Sequence, residues 1–195
     1  MTINAEEVIE VVSNFMDEPE MRFWRDYNDE ILETKQPHLA VFEEGTRPIL
    51  QFGIDKCEEH TSHHTLDIVS DVEHRLRNVF DRVIATTKDV FGDRREVYMS
   101  SMWFAKQLPG AFVEEHEDTD DGYNTQFEYS AVLYLNTLQE GGELIFTDFD
   151  HSVKPKAGDL VVFKSIQGGM HKVNRINEDR YTMPMWMTLD PKFAL

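Results

Sequence analysis

The chain has 195 residues, 41% of them hydrophobic and 11% aromatic, with a formal net charge of −18. That is enough length and apolar content for one domain with a real core, and it excludes a disordered chain. The negative charge argues against nucleic acid as a partner, because phosphates would meet like charge. Its first meaning is solubility; its sharper meaning is a basic partner such as a Lys-rich peptide. No apolar run approaches the roughly 18 residues that span a bilayer. Cys57 is the only cysteine, so an internal disulfide is not available. With a polar, acidic start (MTINAEEVIEV) in place of a basic leader, the expected location is the cytoplasm.

Asn4 reads as an N-cap with Glu7 in the capping-box position. Val8, Val11, Val12 and Phe15 recur at helical spacing, so a first helix is expected there, interrupted at Pro19. Met21, Trp24, Ile31 and Leu32 suggest that helix resumes before Pro37. Residues 38–64 hold Gly45, Pro48 and Gly53 and read as loops with short strands around Leu39–Phe42 and Ile49–Phe52. Thr65 is a candidate cap for a longer helix. Leu66, Val69, Val72, Leu76, Val79, Phe80, Val83 and Ile84 form its apolar stripe, which ends at Gly92.

From Glu96 the period changes to that of strands. The expected strands are Val97–Lys106, Ala111–Glu117, Ser130–Leu135, Glu143–Phe146, Leu160–Phe163, His171–Ile176 and Tyr181–Leu189. Turn chemistry separates them at Pro109-Gly110, Asp120-Asp121-Gly122, Gly141-Gly142, Gly158-Asp159 and Gly168-Gly169. His151 falls in a hairpin loop. Helices followed by a run of strands predict an α+β fold in which helices back one sheet of a two-sheet roll.

Four residues carry the chemistry. His116-Glu117-Asp118 is an H-x-D triplet, and on a strand its first and third side chains share a face. His171 can supply a third ligand. Two imidazoles and one carboxylate leave the opposite metal positions open, an arrangement suited to iron(II) and dioxygen. Arg180 begins an alternating strand with Tyr181, Met183, Met185 and Trp186; a half-buried guanidinium there is suited to gripping a carboxylate. A second histidine cluster, His60, His63 and His64, lacks the partners of a familiar zinc spacing.

The triplet is followed by Ser130-Ala131-Val132-Leu133-Tyr134-Leu135-Asn136, then Gly141-Gly142-Glu143-Leu144-Ile145-Phe146, and Val153 to Phe163. His171, Arg180 and Trp186 close the order. In this order the sequence resembles the prolyl 4-hydroxylase branch of the Fe(II)/2-oxoglutarate-dependent dioxygenases, over roughly residues 97–190. The resemblance implies a double-stranded β-helix (jelly-roll) core in the C-terminal half, backed by N-terminal helices. Residues 1–195 are then one domain, with 1–95 mainly helical support and 96–195 the jelly-roll catalytic core. It implies that His116, Asp118 and His171 hold iron, and that Arg180 anchors the far carboxylate of 2-oxoglutarate with help from Tyr134. It places Trp186 as an aromatic near the metal. The implied cofactors are Fe(II), the co-substrate 2-oxoglutarate and dioxygen, with ascorbate as an accompanying reductant. Relatives often carry a tyrosine before the Pro-Gly turn that precedes H-x-D; here Lys106 or Gln107 stands in that place.

The expected activity is hydroxylation of a C–H bond of a prolyl residue in a peptide or protein, with release of succinate and carbon dioxide. The polar stretch Thr119–Glu128 reads as a loop over the cleft. Tyr123 and Phe127 are its candidate substrate contacts, with Trp186, and Asp120 and Asp121 would favour a basic peptide. One rival is a hydroxylase of a free amino acid or other small molecule. A rival of another class is a non-catalytic metal-binding jelly-roll, a sensor or binding protein. An intact Arg180 beside three ligands argues against that second rival.

Overall fold

The computed structural model describes residues 4–34, 38–42, 45–55, 70–119, 125–166 and 169–195. A short 3-10 turn, Ala5–Glu7, is capped by the Asn4 side chain and leads into strand β1 (Ile9–Val12). The helix expected here is therefore a strand. Val8, Val11 and Val12 match helical spacing, but β-branched residues suit an extended backbone, and β1 pairs antiparallel with a later strand, Leu160–Lys164. Helix α1 (Glu18–Thr34) carries Pro19 in its first turn instead of breaking there. Asp17 caps it by accepting from Glu20 N–H at 2.9 Å, and proline in the first turn lacks an N–H that would have no helical partner anyway.

Strands β2 (His38–Phe42) and β3 (Gly45–Asp55) form a hairpin ahead of helix α2 (Ser70–Phe91). Gly92 stops α2 with φ of 62°, and Asp93 N–H reaches back to Lys88 O at 2.9 Å. Then follow β4 (Tyr98–Gln107), β5 (Val113–His116), β6 (Phe127–Tyr134), β7 (Leu144–Phe146), β8 (His151–Val153), β9 (Leu160–Lys164), β10 (His171–Val173) and β11 (Arg180–Thr188). β8 occupies the place read as a hairpin loop at His151. Among the described residues no helix is long and apolar enough to cross a membrane.

The large sheet runs β1-β9-β6-β11-β4-β3-β2 and the small one β5-β10-β7-β8. Alternation sorts the strands of the large sheet between two cores. Met99, Met102, Phe104, Tyr129, Ala131, Leu133, Leu160, Val162, Met183, Met185 and Met187 face the helices, meeting Trp24, Leu76, Val79 and Val83. Trp24 stacks on Phe104 with ring centroids 5.9 Å apart. The opposite face joins the small sheet through Tyr134, Leu144, Phe146, Val161, Phe163 and Val173. This is the expected α+β jelly-roll with helices on one side. β1, β2 and β3 show that the first 95 residues also build sheet.

Candidate functional site

His116 ends β5, and His171 begins β10 as its direct antiparallel partner. Cross-strand partners stand on the same face, so their rings meet, with centroids 4.3 Å apart. Asp118 lies just beyond the end of β5 rather than on it, and the bend turns its carboxylate back between the rings. Its Oδ1 is 3.5 Å from His116 Nε2 and 3.7 Å from His171 Nε2. One donor atom from each residue lies within 4.8 Å of the others, a grouping that can hold a metal ion.

The tautomers follow from the neighbours. His116 Nδ1 is 2.8 Å from Glu114 O, and His171 Nδ1 is 3.2 Å from Gly169 O. A carbonyl only accepts, so each Nδ1 carries the proton and each Nε2 offers its lone pair inward. Burial pushes the His171 imidazole below its ordinary value, against the opposing pull of Asp118. Burial alone would raise the Asp118 carboxyl. The His116 hydrogen bond, the nearby imidazoles and the Ser130 hydroxyl outweigh it and hold Asp118 low. Neutral imidazoles and an ionised carboxylate are the forms that ligate metal. The set of two nitrogens, one carboxylate oxygen and no thiolate suits iron(II). The side chains of Asp118 and His171 are 9% and 6% exposed and that of His116 is 41% exposed, so the group has a buried floor and one open side.

Arg180 opens β11 on the same inner face as Tyr134, and it is 4% exposed. Its Nη2 donates to Tyr134 Oη at 3.2 Å and its Nη1 to Gln107 Oε1 at 2.7 Å, while Nε–H finds no partner among the described residues. Among the described residues no carboxylate forms an ion pair with it. A buried cation without an anion is costly unless a ligand supplies one. Burial raises the Tyr134 phenol although Arg180 opposes it, so the hydroxyl keeps its proton and can pass on a hydrogen bond. Tyr134, Phe146 and Phe163 share one apolar cluster, and Phe146 and Phe163 lie 5.7 and 5.0 Å from the His171 ring. The cation and the three ligand residues therefore line one interior. Gly142 packs close beside the cation: a Cβ there would clash with Leu138 Cδ1 and lie 3.7 Å from Arg180 Cδ.

Trp186 stands on the same face of β11. It meets Trp103 edge-on at 5.0 Å and stacks with Phe127 at 5.8 Å. Its strand partner is Ser130, whose hydroxyl helps to hold Asp118 ionised, so Trp186 flanks the ligand set. Phe127, expected in a loop, is a buried residue at the start of β6. Tyr123, Asp120, Asp121 and the His60, His63, His64 cluster lie outside the described residues.

Sequence reasoning missed the second rank of residues. Ser130 and Ser165 are buried, with hydroxyls 2.8 Å apart; a serine inside an otherwise apolar strand was the available signal. Asp148 accepts from Met170 N–H at 3.0 Å and so holds the turn before His171; no sequence pattern marked it. Lys106 and Gln107 are separated by the sheet. Lys106 pairs with Asp29 at 2.9 Å and Asp179 at 3.4 Å, and its strand partner Tyr181 packs with the helix-side core. Gln107 faces Arg180.

Residues 102–188, the segment holding all of these ligands, match the sequence model of the 2OG-Fe(II) oxygenase superfamily. The chain is similar to chicken (Gallus gallus) prolyl 3-hydroxylase 2, with 42% identity over 72 residues, covering 34% of this chain and 10% of that protein. The chain thus aligns with about a tenth of the length of the curated relatives it matches. In fold it resembles a Pseudomonas putida prolyl-4-hydroxylase: TM-score 0.67 and 23% identity, over 93% of this chain and 92% of that one. It also resembles a Trichoplax adhaerens prolyl hydroxylase solved with a hypoxia inducible factor peptide fragment. There the TM-score is 0.69 and the identity 14%, over 94% of this chain and 84% of that one.

Proposed function

We propose that the chain hydroxylates a C–H bond of a prolyl residue in a peptide or protein, using iron(II), 2-oxoglutarate and dioxygen. The observation that carries this reading is one interior that joins two kinds of site. It holds a convergent His116–Asp118–His171 group and, on the same face, a buried Arg180 that has no anion among the described residues. The relatives named as prolyl hydroxylases support the substrate class.

When bound, iron(II) would let dioxygen accept four electrons, two from 2-oxoglutarate, which leaves as succinate and carbon dioxide, and two from an unactivated C–H bond, with one oxygen atom going to each product. The chain's own residues position and shield. His116 and His171, fixed by backbone carbonyls, present Nε2 toward the metal, and Asp118 contributes one negative oxygen. Arg180 receives the far carboxylate, with the Tyr134 hydroxyl as a second donor. Phe146, Phe163 and Trp186 keep bulk water from the ligand side. Trp186, with Trp103 beside it, is the proposed wall for the prolyl ring. Glu114, Glu115 and Glu117 are exposed beside His116, and with the net charge of −18 they favour a cationic peptide.

The test is succinate formation from 2-oxoglutarate by anaerobically iron-loaded protein on exposure to air, with ascorbate present. It is run with and without proline-containing peptides, using His171→Ala as control. Succinate that rises with peptide, is absent in the variant and accompanies a peptide mass increase of one oxygen is the expected result; fragmentation then reads the hydroxylated carbon. Peptide-independent succinate redirects the substrate to a small molecule. Iron binding without succinate leaves a metal-binding module and ends the catalytic reading.

A further inference from the structure

The Arg180 guanidinium is braced by an amide rather than a carboxylate. Arg180 and Gln107 are direct cross-strand partners on β11 and β4, and both are buried, Gln107 with 5% exposure. Arginine carries donors only, which fixes the orientation of the amide. The Gln107 carbonyl meets Nη1 at 2.7 Å, so its NH2 group is not engaged by the guanidinium. The neighbouring Lys106 is turned away to Asp29 and Asp179 and does not share this subsite.

The amide has an electrostatic consequence. A glutamate at this position would form a buried ion pair and cancel the charge of Arg180. Glutamine fixes the direction of the guanidinium and leaves its charge unmatched. It also brings a donor of its own to the same place. We infer that Gln107 is a specificity-determining residue of the carboxylate subsite: it holds Arg180 Nη1 through its carbonyl and donates its amide N–H to the far carboxylate of a dicarboxylate ligand. Three neighbouring strands then supply the donors, Gln107 from β4, Tyr134 from β6 and Arg180 from β11. The inference rests on the function proposed above, whose co-substrate is a keto dicarboxylate.

The experiment measures binding by calorimetry on the full chain loaded with manganese(II), without turnover. The probes are 2-oxoglutarate and pyruvate, which keeps the keto acid and lacks the far carboxylate. Gln107→Met should weaken 2-oxoglutarate binding about tenfold or more, the loss expected for a hydrogen bond to a charged group, and leave pyruvate binding within about twofold. Gln107→Glu should weaken 2-oxoglutarate further, because its carboxylate repels the ligand's and occupies Arg180. It should also raise the melting temperature of the ligand-free protein by completing the ion pair. If both variants bind 2-oxoglutarate as the wild type does, Gln107 has no part in the subsite and the inference is overturned while the proposed function stands. An equal loss of both probes, the mark of a general structural defect, also overturns it. If the wild type binds manganese and pyruvate but not 2-oxoglutarate, the proposed function itself fails. Should Gln107→Met fold poorly, Gln107→Glu decides alone.

Discussion

His116 and His171 are cross-strand partners whose Nε2 atoms stand 3.5 and 3.7 Å from the same oxygen of Asp118. Register alone brings the two rings together; no loop has to close to assemble them. A metal should therefore bind the folded chain and stabilise it by mass action. At about 100 times the dissociation constant, manganese(II) or anaerobic iron(II) should add about 2.7 kcal/mol to the unfolding free energy. Asp118→Asn removes the negative ligand and should abolish the shift. Thermal melts with and without metal check this; a full shift in the variant would remove Asp118 from the ligand set.

Arg180 predicts an opposition between stability and function. Its guanidinium is desolvated without a carboxylate, which costs several kcal/mol. Arg180→Met keeps much of the volume and removes the charge. It also orphans the Gln107 carbonyl, at a cost of about 1 kcal/mol. The ligand-free variant should melt at or above the wild-type temperature, yet lose the further stabilisation that 2-oxoglutarate gives the metal-loaded wild type. A large drop in the ligand-free melting temperature would mean that Arg180 is a structural residue.

Much of this arrangement was legible in the chain because the C-terminal strands alternate cleanly and glycine turns bound them. His116, Asp118, His171 and Arg180 were each marked by residue type and order. What could not be read was register. Whether Gln107 or Lys106 faces the site depends on how β4 pairs with β11, and that is set by tertiary packing. β1 misled for a related reason: four residues of an edge strand offer too few positions to separate a period of two from 3.6. A proline such as Pro19 reads alike at a break and at a start of a helix; the Asp17 cap decides which it is.

The Ser165–Ser130–Asp118 chain predicts an effect on metal affinity without an effect on the fold. The buried Ser130 hydroxyl helps to hold the Asp118 carboxylate ionised, and its oxygen lies 2.8 Å from that of Ser165. A hydroxyl fixed in this way is suited to orienting Asp118, whose Oδ1 faces the imidazoles. Groups that orient ligands in this way change metal affinity about 10- to 100-fold when removed. Ser130→Ala should weaken manganese(II) binding by about tenfold, read by calorimetry, while the metal-free melting temperature moves little. Unchanged affinity would show that the bend after β5 holds Asp118 unaided.

The last prediction concerns pH and lies away from the site. Asp93, just after α2, pairs with Arg95 at 2.7 Å and accepts from the Tyr129 hydroxyl at 2.5 Å. Tyr129 stacks on Phe91 at 5.4 Å, so this network ties the end of α2 to β6. The Arg95 hydrogen bonds hold the Asp93 carboxyl well below its ordinary value of 3.8. Burial and Asp93 push the Tyr129 phenol from 10.0 up to about 12. A depressed acid contributes stability that is present above its unfolded value and lost as pH falls further. A raised phenol contributes stability that is present below 10.0 and lost as pH climbs toward about 12. The network should therefore act at full strength between about pH 4 and pH 10. Asp93→Asn should flatten the acid limb below about pH 4, and Tyr129→Phe should flatten the alkaline limb and lower neutral-pH stability by about 1.5 kcal/mol. Melting temperature against pH for the three proteins separates these effects; parallel curves for wild type and Tyr129→Phe above pH 10 would show that Tyr129 does not couple to folding.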